Sequence, residues 1–197
     1  MSSVAEPVIR TTAQPVSTRD VKQHVAFVSG GMGGIGTAIC RRLGQKGIKV
    51  VAGCLPGYEH KQQWLDAMRQ EGLQVHAAEG DVEDYESCTQ LFYQISSVVG
   101  PVDILVNNAG ITRDMTFRKM GKADWDIVMR TNLDSVFNMT KHVCDGMVDR
   151  GWGRIINVSS VNGSKGAFGQ TNYAAAKAGM HGFSKRSEEH TSELQSH

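Results

Sequence analysis

Two side chains near the end of the chain, Tyr173 and Lys177, have the types and the spacing of an acid–base pair. Residues four apart share one face of a helix. A free phenol has a pKa of about 10 and is a poor acid at neutral pH. An ammonium within about 4 to 6 Å favours the phenolate and lowers that pKa by roughly 1 to 3 units. A tyrosine placed in this way can protonate a carbonyl oxygen, although the same pair alone is more often an ordinary exposed contact.

Two further polar residues favour the catalytic interpretation. Ser160 follows the apolar run "IINVS", which is typical of a buried strand, and so lies at the carboxyl edge of a parallel sheet, where open α/β folds bind ligands. Asn132 falls between Met129 and Val136 on the apolar side of a predicted long helix, and a buried amide needs hydrogen-bond partners. We therefore predict a catalytic group of Asn132, Ser160, Tyr173 and Lys177.

A glycine cluster, "SGGMGGIG", lies between the strand-like run "HVAFVS" and a helical pattern. In this context Gly30 allows a tight turn, and Gly34 and Gly36 permit close approach of a pyrophosphate and of the helix to the strand. The free N–H groups at the start of the helix can bind the phosphates. The alternative is a structural glycine loop in another α/β protein, but we predict a dinucleotide site.

The second strand indicates which nicotinamide cofactor binds. An acidic residue about 20 positions after the glycine loop would accept hydrogen bonds from the ribose of NAD. The segment "VVAGC" has none, and His60 and Lys61 follow it as donors for a 2′-phosphate. We therefore predict NADPH. The alternative for His60 and Lys61 is a solvated helix start.

Strand and helix patterns alternate along the chain, which predicts an α/β fold, a Rossmann-type doubly wound parallel sheet. We expect one domain over residues 22–185. Its longest predicted helix runs from about Lys122 to Arg150. The apolar side of that helix is expected to bury Trp125, Val128, Met129, Leu133, Val136, Phe137 and Val143.

Composition argues against several classes of function. The net charge of +1 gives no basic surface for nucleic acid. The four cysteines have no metal-ligand spacing, so we expect no metal site. No apolar run is long enough for a membrane span, and residues 1–21 lack the apolar core of a signal peptide. We expect a cytoplasmic protein with a flexible extension over residues 1–21.

The motifs "SGGMGGIG", "NNAG", "TNL", "SSVNG" and "YAAAK" stand in the order and spacing of the short-chain dehydrogenase/reductase family, which the segment 22–185 resembles. The resemblance implies that Ser160 orients a substrate carbonyl, Tyr173 is the general acid, Lys177 holds the nicotinamide ribose and Asn132 supports a proton relay. Ser29 stands where threonine is usual, but the hydroxyl is kept. The cofactor residues that the resemblance implies are Ser29, Gly30, Met32, Gly33, Gly34, Ile35, Gly36, Asp81, Val82, Asn108, Ala109, Gly110, Ile111 and Thr112.

Longer stretches such as "NNAGITRDMTFRKM" and "FGQTNYAAAKAGMHGF" are similar to the acetoacetyl-CoA reductases of polyhydroxyalkanoate synthesis. That similarity implies NADPH-dependent formation of (R)-3-hydroxybutyryl-CoA and a homotetramer for a full-length member. It places an acyl-CoA substrate against Asp114, Ala167, Phe168, Gly169 and Gln170. One alternative is a 3-oxoacyl-ACP reductase with an acyl-ACP substrate. The alternative of another class is an inactive cofactor-binding fragment.

The last twelve residues, "RSEEHTSELQSH", differ from the rest because they offer neither a strand-like run nor a helical apolar stripe. The segment 186–197 resembles a translated sequencing adapter. We therefore expect a C-terminally truncated domain whose natural reading frame diverges at about Lys185. On that expectation the chain by itself would be aggregation-prone and show little or no reductase activity.

Overall fold

The computed structural model describes residues 23–186. Within them, five parallel strands form one sheet in the order β3-β2-β1-β4-β5. This arrangement confirms the predicted doubly wound parallel sheet. The strands are β1 (Val25–Val28), β2 (Lys49–Cys54), β3 (Val75–Glu79), β4 (Ile104–Asn107) and β5 (Arg154–Asn157).

Helices cover both faces of the sheet because successive strand residues point to opposite sides. Phe27 and Leu105 pack with α3 (Tyr85–Val98) and α5 (Ser135–Asp149) on one face. Val28 and Val106 pack on the other face, where α1 (Gly34–Gln45) supplies Cys40. The whole of β1 is buried, as expected for a central parallel strand. The helices are α1 (Gly34–Gln45), α2 (Lys61–Gln70), α3 (Tyr85–Val98), α4 (Lys122–Met129), α5 (Ser135–Asp149), α6 (Asn162–Lys165) and α7 (Thr171–Arg186).

The strand order reverses between β1 and β4, because chain order runs outward from β1 in both directions. At such a point the loops after the two strands diverge and leave a crevice at the carboxyl edge of the sheet. The glycine loop follows β1, and the segment "NAG" follows β4. The fold therefore brings these two motifs, which are far apart in the sequence, to the same crevice.

The predicted helix from Lys122 to Arg150 is interrupted by a π-helical turn, Arg130–Asp134, between α4 and α5. The prediction that Phe137 is buried is wrong, because its side chain is 53% exposed and stacks on Tyr85. The buried stripe of α5 instead passes through Val136 and Met139. Phe137 comes one residue after Val136, which turns it about 100° away from that stripe.

Some predictions lie outside the described residues. These are the flexible extension over residues 1–21 and the non-family tail predicted over residues 186–197, of which only Arg186, the last residue of α7, is described. Among residues 23–186, no helix is long and apolar enough to cross a membrane. In the same part of the chain, no group of three or more His, Cys, Asp or Glu side chains could hold a metal ion.

Candidate active site

The glycine loop forms a tight cradle between β1 and α1. Gly30 has a φ of +59°, a conformation that favours glycine. A Cβ on Gly36 would lie 2.2 Å from the carbonyl oxygen of Gly30, so only glycine allows the first turn of α1 to approach the loop. A Cβ on Gly34 would meet no protein atom within 4 Å. The space beside Gly34, at the N-terminus of a helix, fits the pyrophosphate of a dinucleotide.

The hydroxyl of Ser29 joins the ends of β1 and β4. It accepts hydrogen bonds from the backbone N–H groups of Asn108 and Ala109, both at 3.0 Å. The side-chain amide of Asn108 in turn donates to the carbonyl oxygens of Ser29 and Gly30. Ser29 is 2% exposed, and its hydroxyl holds this loop in position.

A cleft of about 240 Å³ opens at the carboxyl edge of β1, β2, β3 and β4. Several predicted cofactor residues meet there, namely Ser29, Gly30, Asp81, Val82, Ala109, Gly110 and Ile111. Met32 does not, because its side chain packs in the core at 8% exposure. Ile35 is 64% exposed on α1. The cleft also has walls that the sequence did not predict, among them Phe27, Cys54, Leu55, Glu83, Leu91 and Thr131.

The loop after β3 is hydrogen-bonded to the π-helical turn and to α5. Thr131 donates a hydrogen bond to the carboxylate of Glu83, and Asn138 donates to the carbonyl oxygen of Val82 at 3.0 Å. Asp81 accepts a hydrogen bond from the backbone N–H of Glu83. These contacts fix the turn that carries Asp81 and Val82, the two residues predicted to lie at the adenine.

The predicted acid–base pair is assembled on α7. The Nζ atom of Lys177 lies 5.7 Å from the ring centroid of Tyr173. This ammonium donates to the carbonyl oxygen of Val158 at 2.8 Å, just beyond the end of β5. Lys177 is 3% exposed, and its burial lowers its pKa to about 8. The position of the ammonium therefore comes from a helix and a strand end that are both fixed in the fold.

Ser160 directly follows Val158 and Ser159, which are both hydrogen-bonded to residues of α7. The hydroxyl of Ser159 donates to the carbonyl oxygen of Lys177 at 3.2 Å. The same hydroxyl oxygen lies 2.7 Å from the Nε2 atom of His181, within hydrogen-bond distance. The hydroxyl of Ser160 accepts a hydrogen bond from the backbone N–H of Asn162. Ser159 and His181 were not predicted, because their contact joins a strand end to a helix and follows no local spacing.

Asn132 is fully buried in the π-helical turn, as the sequence predicted. Its amide nitrogen donates to the carbonyl oxygens of Ile111 and Val128, both at 2.9 Å. Its Oδ1 atom has no hydrogen-bond partner within the described residues. A Cβ built on Gly110 would lie 2.5 Å from that oxygen and 3.8 Å from the Nζ atom of Lys177. Asn132 and Lys177 therefore face one small space beside Gly110, where a water molecule would satisfy the oxygen.

Three of the predicted substrate residues lie on two loops that are bound to each other. The side-chain amide of Gln170 donates to the carboxylate of Asp114 at 2.8 Å, and the backbone N–H of Met115 donates to the carbonyl oxygen of Gly169. Ala167 and Phe168 are exposed, and Phe168 reaches 93% exposure. These residues form an open surface next to α7.

His60 and Lys61 stand at the start of α2 and do not line the cleft. The ammonium of Lys61 forms an ion pair with the carboxylate of Glu79, at the end of β3. The ring of His60 lies against that of Tyr58, with centroids 5.8 Å apart. Glu79 is an acidic residue at the end of β3, paired with Cys54 of β2, that the sequence did not reveal.

We expect Lys177 to titrate far below an ordinary lysine, because its charged form is desolvated. Measuring the pH dependence of its reaction with acetic anhydride by mass spectrometry should give a pKa of about 8 in the folded chain and the ordinary value of 10.5 in urea. The folded chain releases this proton at a lower pH than the unfolded chain does. Lys177 should therefore contribute fully to the free energy of unfolding above pH 10.5, and this contribution should be lost as the pH falls through about 8. Equal reactivity of Lys177 in both states would contradict the burial argument.

The profile of the short chain dehydrogenase family matches residues 24–195. The chain therefore belongs to this family, as its motifs predicted.

Among curated relatives, the acetoacetyl-CoA reductase of Cupriavidus necator is 60% identical over 161 residues, which cover 82% of this chain and 65% of the relative. Nodulation protein G of Azospirillum brasilense is 56% identical over 165 residues, which cover 84% and 67%. A 3-oxoacyl-[acyl-carrier-protein] reductase of Aquifex aeolicus is 39% identical over 161 residues, which cover 82% and 65%. The chain thus spans about 65% of the length of these reductases.

Proposed function

We propose that this chain carries the cofactor cleft and the catalytic group of an NADPH-dependent oxidoreductase that reduces the 3-keto group of acetoacetyl-CoA to (R)-3-hydroxybutyryl-CoA. The observation that carries the proposal is the buried ammonium of Lys177, held 5.7 Å from the ring of Tyr173 and facing the same space as Asn132. The similarity to acetoacetyl-CoA reductases, at up to 60% identity, supports the choice of substrate.

In this proposal each residue of the site has one task. A bound nicotinamide supplies the hydride that the carbonyl carbon receives. The hydroxyl of Tyr173 donates a proton to the carbonyl oxygen, which Ser160 orients by a hydrogen bond. The ammonium of Lys177 stabilises the phenolate that Tyr173 becomes after it has donated its proton. The free oxygen of Asn132 accepts a hydrogen bond from a water molecule, and this water returns a proton toward Lys177.

The cofactor part of the proposal is tested by equilibrium binding to the chain itself. We expect NADPH to bind more tightly than NADH, because β2 ends in Gly53 and Cys54 without a carboxylate of its own. Intrinsic fluorescence or calorimetry gives both dissociation constants. Tighter binding of NADH would contradict the choice of NADPH.

The substrate part requires a complete catalytic unit. In a chimera, the aligned segment of the Cupriavidus necator enzyme is replaced by the corresponding residues of this chain. We expect NADPH oxidation with acetoacetyl-CoA and a higher kcat/KM for acetoacetyl-CoA than for acetoacetyl-ACP. A strong preference for the ACP thioester would move the assignment to a 3-oxoacyl-ACP reductase, the class of the Aquifex aeolicus relative.

Absence of turnover with both thioesters, although NADPH binds, would favour a cofactor-binding protein without activity. The unmodified Cupriavidus necator enzyme is the positive control for that outcome. Assembly of a complete protein into a homotetramer remains a prediction of the family resemblance.

A further inference from the structure

Glu79 lies beside the strand end that lacks an acidic residue of its own. In the parallel pairing of β2 and β3, Cys54 stands opposite Glu79. The backbone N–H of Gly80 donates to the carbonyl oxygen of Cys54 at 2.9 Å, so the two strand ends are held together. Cys54, Leu55 and Gly80 line the cleft. The neighbouring strand therefore brings a carboxylate to the end of β2.

This carboxylate binds two donors, one in the loop between β2 and α2 and one at the start of α2. One oxygen forms the ion pair with the ammonium of Lys61, and the other accepts a hydrogen bond from the backbone N–H of Gly57 at 3.0 Å. The hydrogen bond from Lys61 lowers the pKa of Glu79, and the same contact raises the pKa of Lys61. Both groups are therefore charged at neutral pH. Their side chains are 33% and 37% exposed, so an anion can reach them from solvent.

We propose that Glu79 determines how strongly the site discriminates between a 2′-phosphate and a free 2′-hydroxyl on the adenosine ribose. The inference rests on the proposed dinucleotide function. In open α/β folds the ribose hydroxyls lie at the end of the second strand. A 2′-phosphate there competes with the carboxylate of Glu79 for Lys61 and is repelled by its charge. A free 2′-hydroxyl carries no charge and can donate a hydrogen bond to the same carboxylate.

The test uses adenosine 2′,5′-bisphosphate and 5′-AMP, because these probes differ only in the 2′-phosphate. Calorimetry with the whole chain and with the Glu79→Gln variant gives the four dissociation constants. We expect Glu79→Gln to bind the bisphosphate about threefold to tenfold more tightly, the size expected when a partly exposed charge is removed. Binding of 5′-AMP should change by less than about twofold.

A matched control is available at the other end of α2. Glu71 forms a similarly exposed ion pair with Arg41 but lies away from the cleft, so Glu71→Gln removes the same charge without touching the strand end. We expect Glu71→Gln to leave the ratio of the two dissociation constants unchanged. An equal shift in both variants would show a general charge effect and overturn the inference.

Lys61→Gln gives a second measurement on the same carboxylate. Without its lysine, Glu79 can only repel the phosphate, so the double variant Lys61→Gln/Glu79→Gln should bind the bisphosphate more tightly than Lys61→Gln. The role of Glu79 is overturned if the parent chain binds both probes but Glu79→Gln leaves the ratio of their dissociation constants unchanged. Weaker binding of the bisphosphate by Glu79→Gln overturns it as well. A parent chain that binds neither probe defeats the dinucleotide function and this inference together.

Discussion

Replacing Tyr173 with phenylalanine should abolish ketone reduction while nucleotide binding stays nearly intact. The substitution removes only the hydroxyl, so the ring beside Lys177 remains and the transferable proton is lost. A positioned general acid contributes about a hundredfold to ten-thousandfold to a rate, and we expect a loss of about a thousandfold in kcat. The measurement is NADPH oxidation with acetoacetyl-CoA in the chimera, together with the dissociation constant of NADPH.

Tyr93 provides a matched control for this substitution. It is 77% exposed on α3, away from α7, so Tyr93→Phe makes the same chemical change without touching the site. We expect Tyr93→Phe to keep both the rate and the affinity of the parent chimera. Retention of most of the turnover in Tyr173→Phe would exclude Tyr173 as the proton donor. A parallel loss of NADPH affinity would instead assign Tyr173 to cofactor binding.

The parallel sheet could be predicted from the sequence because each strand and each helix has a local pattern of apolar residues. Each strand is a short apolar run such as Val25–Val28, and each helix repeats apolar residues with a helical period. The pairing of Tyr173 with Lys177 is local as well, since both residues lie on one helix. The buried position of Asn132 also followed from the apolar residues on either side of it.

The features that the sequence did not predict depend on long-range geometry. The π-helical turn at Arg130–Asp134 changes the backbone hydrogen-bond register inside the helix, and the spacing of apolar residues in the sequence does not reveal that change. Glu79 reaches the end of β2 through the pairing of two strands, and that register appears in neither strand alone. The same holds for Ser159 and His181, whose hydrogen bond joins residues on two elements.

The other large effect concerns two glycines of the loop after β1, which should respond to alanine in different ways. A Cβ on Gly36 would lie 2.2 Å from the carbonyl oxygen of Gly30 and 2.8 Å from the Cα atom of Gly31. Both contacts are with backbone, so no side chain can rotate to relieve them. We expect Gly36→Ala to lower the free energy of unfolding by about 3 kcal/mol, the upper range of ordinary overpacking. The loop would shift, and NADPH affinity should fall with it.

Gly34→Ala adds the same methyl group to the same turn of α1, where it meets no protein atom within 4 Å. Alanine is also a better helix former than glycine by up to about 1 kcal/mol, so we expect the free energy of unfolding to stay constant or rise slightly. The methyl group would occupy the space assigned to the pyrophosphate. NADPH affinity should therefore fall although stability does not.

Chemical denaturation and NADPH binding, measured on both variants, separate loop packing from phosphate contact. Loss of stability is expected only in Gly36→Ala, because only there does the methyl group overlap protein backbone. Loss of affinity is expected in both, for two different reasons. If Gly34→Ala binds NADPH as tightly as the parent chain, the pyrophosphate does not approach α1 at Gly34. If Gly36→Ala unfolds at the same denaturant concentration as the parent chain, the close approach of α1 to the carbonyl oxygen of Gly30 does not hold the loop.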